Sequence, residues 1–558
     1  MRINICTIKR TFIWDYAIYI IYMLLACHQL IIYGYPYGHD WIFELVRISE
    51  YADAFHSGQI IPFWANNLYY GFGAPVFIFY APLYSAVSSL FLSLGISITV
   101  AAIITLIIFT IISAFGMKKL MQEIIGNKID SVSQASVRIA TLSYVLAPYI
   151  LGDMLLRNAS AEYIALCVAP YPLWGLVRIY KNKINGYFIL SIGITFIVIA
   201  HNLTALIMVS LLSLMSLLLY MPERRYPELK ITFAALFTGI GLTTWFWLPA
   251  LGLKSYISVS ELQQGKLDFH NNFKHIYELF GYDTFYSVGL YPLVVLIIGI
   301  CLLKNNNKEY WRLQVLLVIT SLIFLYLQTS ASLYLWEYLP FMSLFQFPWR
   351  MMGPFMLVIA LLIGVLFKQY AKNTRGLEII VAVLIIINAW PQFSRFQAIP
   401  KNVMQYLPQM TSSKGIRQLG LPVTVGDEYL PLNANKENIN KMDITDTVYS
   451  VDKPAEINVT KAEGPDIHLS IELQQDSTLN IARWYFPGWH AKVNEKKYPL
   501  DRNEIGTLKM DLQKGKYEIH IWIGQTIWRI LGLIISGIFL FIFFYIYIRD
   551  SRFIKHSY

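Results

Sequence analysis

Uncharged apolar runs of roughly 16 to 22 residues recur along the chain between short polar loops, each about long enough as a helix to cross a hydrocarbon layer. Basic residues gather in some loops and avoid others. They collect at Lys9 and Arg10, Lys118 and Lys119, Arg178 and Lys181, Arg224 and Arg225, Lys304 and Lys308, Lys368 and Lys372, and Arg549 and Arg552. Basic loops face the cytoplasm in membrane proteins. With parity imposed, crossings fall at 12–33, 97–116, 135–152, 162–178, 186–201, 203–221, 231–250, 288–303, 313–329, 350–368, 377–394 and 524–548. The pattern predicts a polytopic α-helical membrane protein with about twelve transmembrane helices and both termini cytoplasmic. The apolar segment 76–94 is assigned to the outer face, on or dipping into the membrane. If it crossed as well as 97–116, every downstream loop would change sides.

Outside the membrane the pattern changes. Over 395–523 the runs "AEINVTKA", "DIHLSIELQ", "STLNIARWYF" and "KYEIHIWI" alternate with period two and are separated by Asn, Asp, Gly and Pro. This predicts an extracytoplasmic antiparallel β-sandwich before the last helix. The expected organisation is a helix bundle over 1–394 with an outer first loop at 34–96. A β-rich domain over 395–523 follows, then a final helix and cytoplasmic tail over 524–558.

Composition agrees with a membrane bundle. Of 558 residues, 56% are hydrophobic and 14% charged, against about 25% charged in soluble domains. The net charge of +10 comes from the cytoplasmic loops and is no nucleic-acid signal. Four cysteines beside apolar runs form no disulfide framework and no CxxC zinc motif. No phosphate loop or Rossmann fingerprint is present, which argues against nucleotide-sugar use at the cytoplasmic face.

Charges also appear at the outer ends of the spans. "YGYPYGHDWIFELVRISEYADAF" follows the first span. At helical spacing, Asp40, Glu44, Arg47 and Tyr51 share one face and Ile42, Leu45, Val46 and Ser49 lie opposite. This predicts an amphipathic helix on the outer interface, its polar face toward a cavity. The same spacing also suits a solvated face held by a Glu44–Arg47 pair. "GDMLLRNASAE" adds Asp153, Arg157 and Glu162; His201 and Asn202 cap a hairpin; Lys254 follows a span; Arg350 in "FQFPWR" begins one. Ionisable groups at membrane depth are costly and mark functional candidates, although Arg350 can snorkel and Asn202 can cap a helix. Such a mixture suits a sugar on a polyprenyl phosphate: Arg157, Arg350 or Lys254 could hold phosphate, and Asp40 could take a proton or bind a metal.

The stretches "GHDWIFELVRI", "GQIIPFWANNLYYGFGAPVFIFYAPLY", "RNASAE", "AHN", "FQFPWR" and "WYFPGWHAKVN" resemble the bacterial membrane proteins labelled 6-pyruvoyl-tetrahydropterin synthase-related, near the C-type glycosyltransferases and the YfhO-like membrane proteins. The resemblance spans nearly the whole chain. It implies nothing about the soluble pterin enzyme, a small zinc protein with a His cluster. The C-type superfamily implies a carboxylate in the first outer loop, a position that Asp40 matches. The acidic pair that often follows is absent, because Trp41 and Ile42 come next. Metal dependence is therefore unknown, with no clear divalent-metal motif, and Glu44 is the second carboxylate one turn on. Trp484, Tyr485 and Trp489 of "WYFPGW" suit a sandwich core, or a platform that stacks on sugar rings.

These observations and the resemblance lead to one expectation. The chain is an integral membrane glycosyltransferase-like protein of the bacterial inner membrane, moving sugar from a polyprenyl-phosphate donor to a glycan, lipid or protein acceptor at the outer face. Asp40 and Glu44 are the catalytic candidates, Arg157, Arg350 and Lys254 the phosphate-binding ones, and His39, Arg47, Glu162, His201 and Asn202 line the cavity. Membrane lipids are partners and nucleic acid is not. The alternative is a non-enzymatic protein that binds, transports or assembles envelope lipids or glycans.

Overall fold

In a hydrocarbon layer the backbone has only itself to satisfy its hydrogen bonds, and the apolar runs accordingly fold as helices. The computed structural model describes residues 5–126, 130–183, 185–258, 268–281, 287–305, 309–339, 341–371, 374–421, 429–432, 434, 449–453, 455–463 and 465–555. Seven helical stretches among these are long and apolar enough to cross a membrane: Ile98–Ile125, Ser131–Arg157, Ser160–Tyr180, Asn202–Tyr220, Pro348–Tyr370, Arg375–Ser394 and Ile527–Arg549. Two bent helix pairs would raise the number to nine, and Ala17–Tyr33, Asn185–Ala200 and Leu290–Lys304 are shorter apolar helices.

The predicted crossing at 231–250 is not one straight helix. Tyr226–Leu242 and Thr244–Tyr256 meet at 69°. At the break, Thr243 Oγ1 donates to the Ile240 carbonyl at 2.8 Å and Thr244 Oγ1 to that of Gly241 at 2.7 Å. Hydroxyls that compete for the ladder carbonyls in this way bend helices. Pro249, inside the second arm, removes one further ladder donor. In the 76–94 segment, the helix Leu83–Ser93 has 11 residues and rises only about 16 Å, half a membrane thickness. It packs against Ile98–Ile125 and against the helix Trp41–His56.

Near the C-terminus the chain forms two antiparallel sheets. The strands are β1 (Tyr449–Val451), β2 (Ala455–Glu463), β3 (Asp466–Leu473), β4 (Ser477–Trp484), β5 (Trp489–Val493), β6 (Lys496–Tyr498), β7 (Asp501–Arg502), β8 (Thr507–Leu512) and β9 (Gly515–Ile523). One sheet runs β1-β4-β8-β7 and the other β2-β3-β9-β5-β6. Ile467, Leu469 and Ile471 of β3 alternate with half-buried neighbours and join Leu479, Ile481, Leu508 and Ile521 in one apolar cluster. Between the bundle and these strands, 401–419 forms three short helices.

The loop from Phe63 to Phe79 joins the sheets to the bundle. Trp484 N–H donates to the Phe72 carbonyl at 3.2 Å, and an Arg483 N–H to that of Gly71 at 2.7 Å. Trp489 meets Trp64 edge-on at 5.4 Å. Trp484 and Trp489 are buried here. Of the two roles open to "WYFPGW", these two indoles therefore take the core role, with their faces closed to a sugar.

Candidate active site

At the sheet-side end of the bundle, the first loop comes close to Leu156 and Arg157 at Gly38. A Cβ there would stand 2.6 Å from the Leu156 carbonyl oxygen, so only glycine lets the first loop lie against the turn that ends the Ser131–Arg157 stretch. Asp40 N–H then donates to the Arg157 carbonyl at 3.0 Å, and Tyr37 N–H to that of Gln397 at 2.7 Å. Asp40 stands at the N-cap of Trp41–His56, yet its carboxylate caps no backbone N–H. It is half-buried, and its neighbour His39 is exposed.

One turn on, Glu44 and Arg47 pair at 3.0 Å. Tyr80 OH donates to Glu44 at 3.2 Å, and the Arg47 guanidinium lies 3.9 Å over the Tyr80 ring. Both charges are buried. The polar face expected to look toward a cavity is instead covered at Glu44 and Arg47 by Tyr80, and Tyr51 beside them meets Phe77 edge-on at 5.0 Å. Nor is the pair a solvated one. Burial pushes the Glu44 carboxyl up to about 6, with Arg47 opposing that rise.

Behind Asp40 lies a second group. The helix Pro148–Gly152 widens into a π-turn, Asp153–Arg157, which Asn158 ends at φ 61°. Such bulges are uncommon and gather at functional sites. This one brings Arg157 onto Asp153, and within 3.4 Å of Glu162. Glu162 also accepts from Tyr149 OH at 2.6 Å and faces Arg350 Nε at 3.6 Å. Arg350 donates to the Gln346 side chain at 2.7 Å. Trp349 lies 4.5 Å beneath the Arg157 guanidinium. Asp153, Arg157, Glu162 and Arg350 are all buried, two carboxylates against two guanidiniums.

His201 is within electrostatic reach of Glu162, Arg157 and Arg350, and its ring accepts from Thr204 N–H. Asn202 is exposed and donates to the Phe79 carbonyl at 3.3 Å. Lys254 is exposed on its own turn and, among the described residues, makes no contact with this group. Asp40, by contrast, is within reach of Glu44, Arg47 and Arg157.

Sequence reasoning missed a third group. Glu50 accepts from Asn67 N–H at 3.0 Å and from its side chain at 2.9 Å, while Arg417 donates to Asn67 Oδ1 at 3.1 Å. Burial pushes Glu50 up to about 7, against the two Asn67 bonds. Glu50 was visible as one more charge on an amphipathic helix, but Asn67 and Arg417 carry no periodic signal and are distant in sequence. Tyr149 was likewise hidden in an apolar run.

Chemically, Asp40 differs from the carboxylates it is grouped with. Glu44, Asp153 and Glu162 are buried and engaged, whereas Asp40 sits at the edge of the charged group. Among the described residues no third metal-ligating side chain joins Asp40 and Glu44, so this end of the molecule does not present a ready three-ligand site.

Bundle, sheets and buried charge together define a multi-pass membrane protein with a charged site where the helices meet the sheets. Residues 77–396 match the family described as "6-pyruvoyl-tetrahydropterin synthase related domain; membrane protein", and the chain belongs to that family. An uncharacterized protein of Lactococcus lactis subsp. cremoris is 23% identical over 330 residues, 56% of this chain and 53% of its own. This chain thus spans about half the length of that curated relative. Among solved structures, the Archaeoglobus fulgidus oligosaccharyltransferase in the apo form is similar at 12% identity and TM-score 0.42, covering 74% of this chain and 61% of that one. The arabinofuranosyltransferase AftD from Mycobacteria is similar at 16% and 0.45, covering 71% and 28%. Likenesses this distant have no bearing on the chemistry.

Proposed function

We propose that this protein transfers a sugar from a polyprenyl-phosphate donor to an envelope acceptor at the outer face of the bacterial inner membrane. In this reading the bundle makes about twelve crossings with both termini inside, and the two sheets pack as a sandwich outside. The observation that carries the proposal is Asp40, a half-buried carboxylate without a capping bond, placed beside a buried and charge-balanced guanidinium–carboxylate group at the sheet-side helix ends. Buried arginines held by their own carboxylates are preorganised, and need little rearrangement when a phosphate arrives.

The acceptor hydroxyl gives its proton to Asp40. Its oxygen bonds to the anomeric carbon as the bond from that carbon to the phosphate oxygen breaks. The polyprenyl phosphate leaves with the electron pair. Arg157 and Arg350 offset the charge that develops there, and Glu162 and Asp153 hold the two guanidiniums in place. Glu44 and Arg47 fix the helix that carries Asp40, while His39, His201 and Asn202 border the cavity. Lys254 would meet phosphate only at the periphery.

Mass-spectrometric profiles of envelope glycans and lipids test the proposal in three strains: wild type, deletion, and Asp40→Asn at normal expression. Loss of one glycan in both mutants, with build-up of its lipid-linked donor, is expected. A deletion phenotype that Asp40→Asn rescues would remove Asp40 from the chemistry and favour binding, transport or assembly.

A further inference from the structure

Outside the charged group, the five-stranded sheet carries a polar face that the proposed reaction leaves unused. Successive side chains on a strand point to opposite faces. On β3 and β9, Ile467, Leu469, Ile519 and Ile521 point into the core, so Asp466, His468, His520 and Trp522 share the outward face. The register places His468 directly opposite His520, and Asp466 opposite Trp522. Directly opposed residues hold their Cβ atoms about 5 Å apart, near enough for two imidazoles to share one ligand.

The side chains converge. Asp466 Oδ1 lies 2.6 Å from His520 Nε2 and 3.4 Å from His468 Nε2. One ligand atom from each of the three falls within 4.8 Å of the others. The imidazole rings stack with centroids 4.0 Å apart and planes 16° from parallel, and Trp522 stacks on His520 at 4.6 Å. Lys461 occupies the other oxygen, Asp466 Oδ2, at 2.7 Å, which leaves Oδ1 turned to the histidines. All three side chains keep between a third and a half of their surface open.

We propose that Asp466, His468 and His520 form a binding site for a divalent transition-metal ion of the zinc or copper class. Two imidazole nitrogens and one carboxylate oxygen are the ligands such ions select, and they leave a fourth position for water. Around a tetrahedral zinc the ligand atoms stand ~3.3 Å apart, so rotations about the side-chain bonds close the site without moving the strands. Both strands are paired along their whole length, and this rigidity favours a built site. Magnesium or calcium, which prefer all-oxygen shells, would not be held. The site is independent of the glycosyl-transfer proposal and stands if that proposal fails.

The test uses the full-length protein in detergent, with any affinity tag removed and metal stripped by a chelator. Zinc chloride is titrated calorimetrically, and bound zinc is counted by elemental analysis after dialysis. One equivalent per chain is expected, with affinity weakened at least about 100-fold in His468→Ala and in His520→Ala, more than the loss of an outer-shell partner brings. His490→Ala should keep the wild-type affinity, because His490 lies across Trp522 at 5.6 Å and offers no ligand. Copper(II) should quench Trp522 fluorescence, measured as the difference from Trp522→Phe. Thermal melts without metal show that each variant is folded. Absence of a zinc equivalent in the wild type, or equal loss in His490→Ala, would overturn the site.

Discussion

The two ends of the bundle use the same residue types differently. At the end away from the sheets, Glu123 meets Arg178 and Lys183, Arg138 meets Glu378, and Arg312 meets Glu223. Their cover varies: Glu123 is buried, Arg138 and Glu378 keep a minor part of their side chains open, and Arg312 has 80% of its side chain exposed. At the sheet-side end, Glu44–Arg47 and the Asp153–Arg157–Glu162–Arg350 group are buried. Exposed pairs gain little, because water screens them. Buried ones cost desolvation when formed and much more when one partner is lost. A cluster whose members depend on one another in this way holds its geometry, as a site for charged chemistry requires.

The largest effect should come from the member that touches most others. Glu162→Gln removes the charge shared by Arg157 and Arg350 and weakens the acceptor of Tyr149. A loss of about 3–5 kcal/mol is expected, read as a lowered melting temperature in detergent, with loss of the glycan product if the proposed reaction is right. An unchanged melting curve would show that the sheet-side charges are no more interdependent than the far ones.

Glu50 tests burial without a directly bonded arginine. Its folded pKa is raised from 4.5 to about 7. The stability it contributes is therefore complete below about 4.5 and is lost as pH rises through 7. Relative to Glu50→Gln, which stays neutral, the wild type should lose about 1–3 kcal/mol between pH 5 and pH 8. Melts of both proteins across that range check this, and parallel curves would refute it. The smallest effect belongs to the far end: Arg312→Ala should cost about 0.5 kcal/mol despite its 2.8 Å contact with Glu223. A cost as large as that of Glu162→Gln would erase the contrast between the two ends.

Much of this was legible beforehand. The apolar runs, the sheet strands and the membership of Asp40, Glu44, Arg47, Arg157, Glu162 and Arg350 in one end of the molecule all follow from local pattern and charge placement. The bend at Thr243 was not legible, since apolar length says nothing of hydroxyls competing for carbonyls. The Glu50–Asn67–Arg417 group was equally hidden, because its members meet only after 350 residues of chain have folded back.

Hydropathy and basic loops alone determined that this chain crosses a membrane many times and carries a sheet region before its last helix. The reason is that lipid and water select for period and charge residue by residue. Only the tertiary structure decided which charges are buried, which carboxylate stays open and which histidines face each other. Those outcomes depend on what covers a side chain, and its cover comes from distant segments such as the 76–80 loop over Glu44 and the π-turn beneath Gly38.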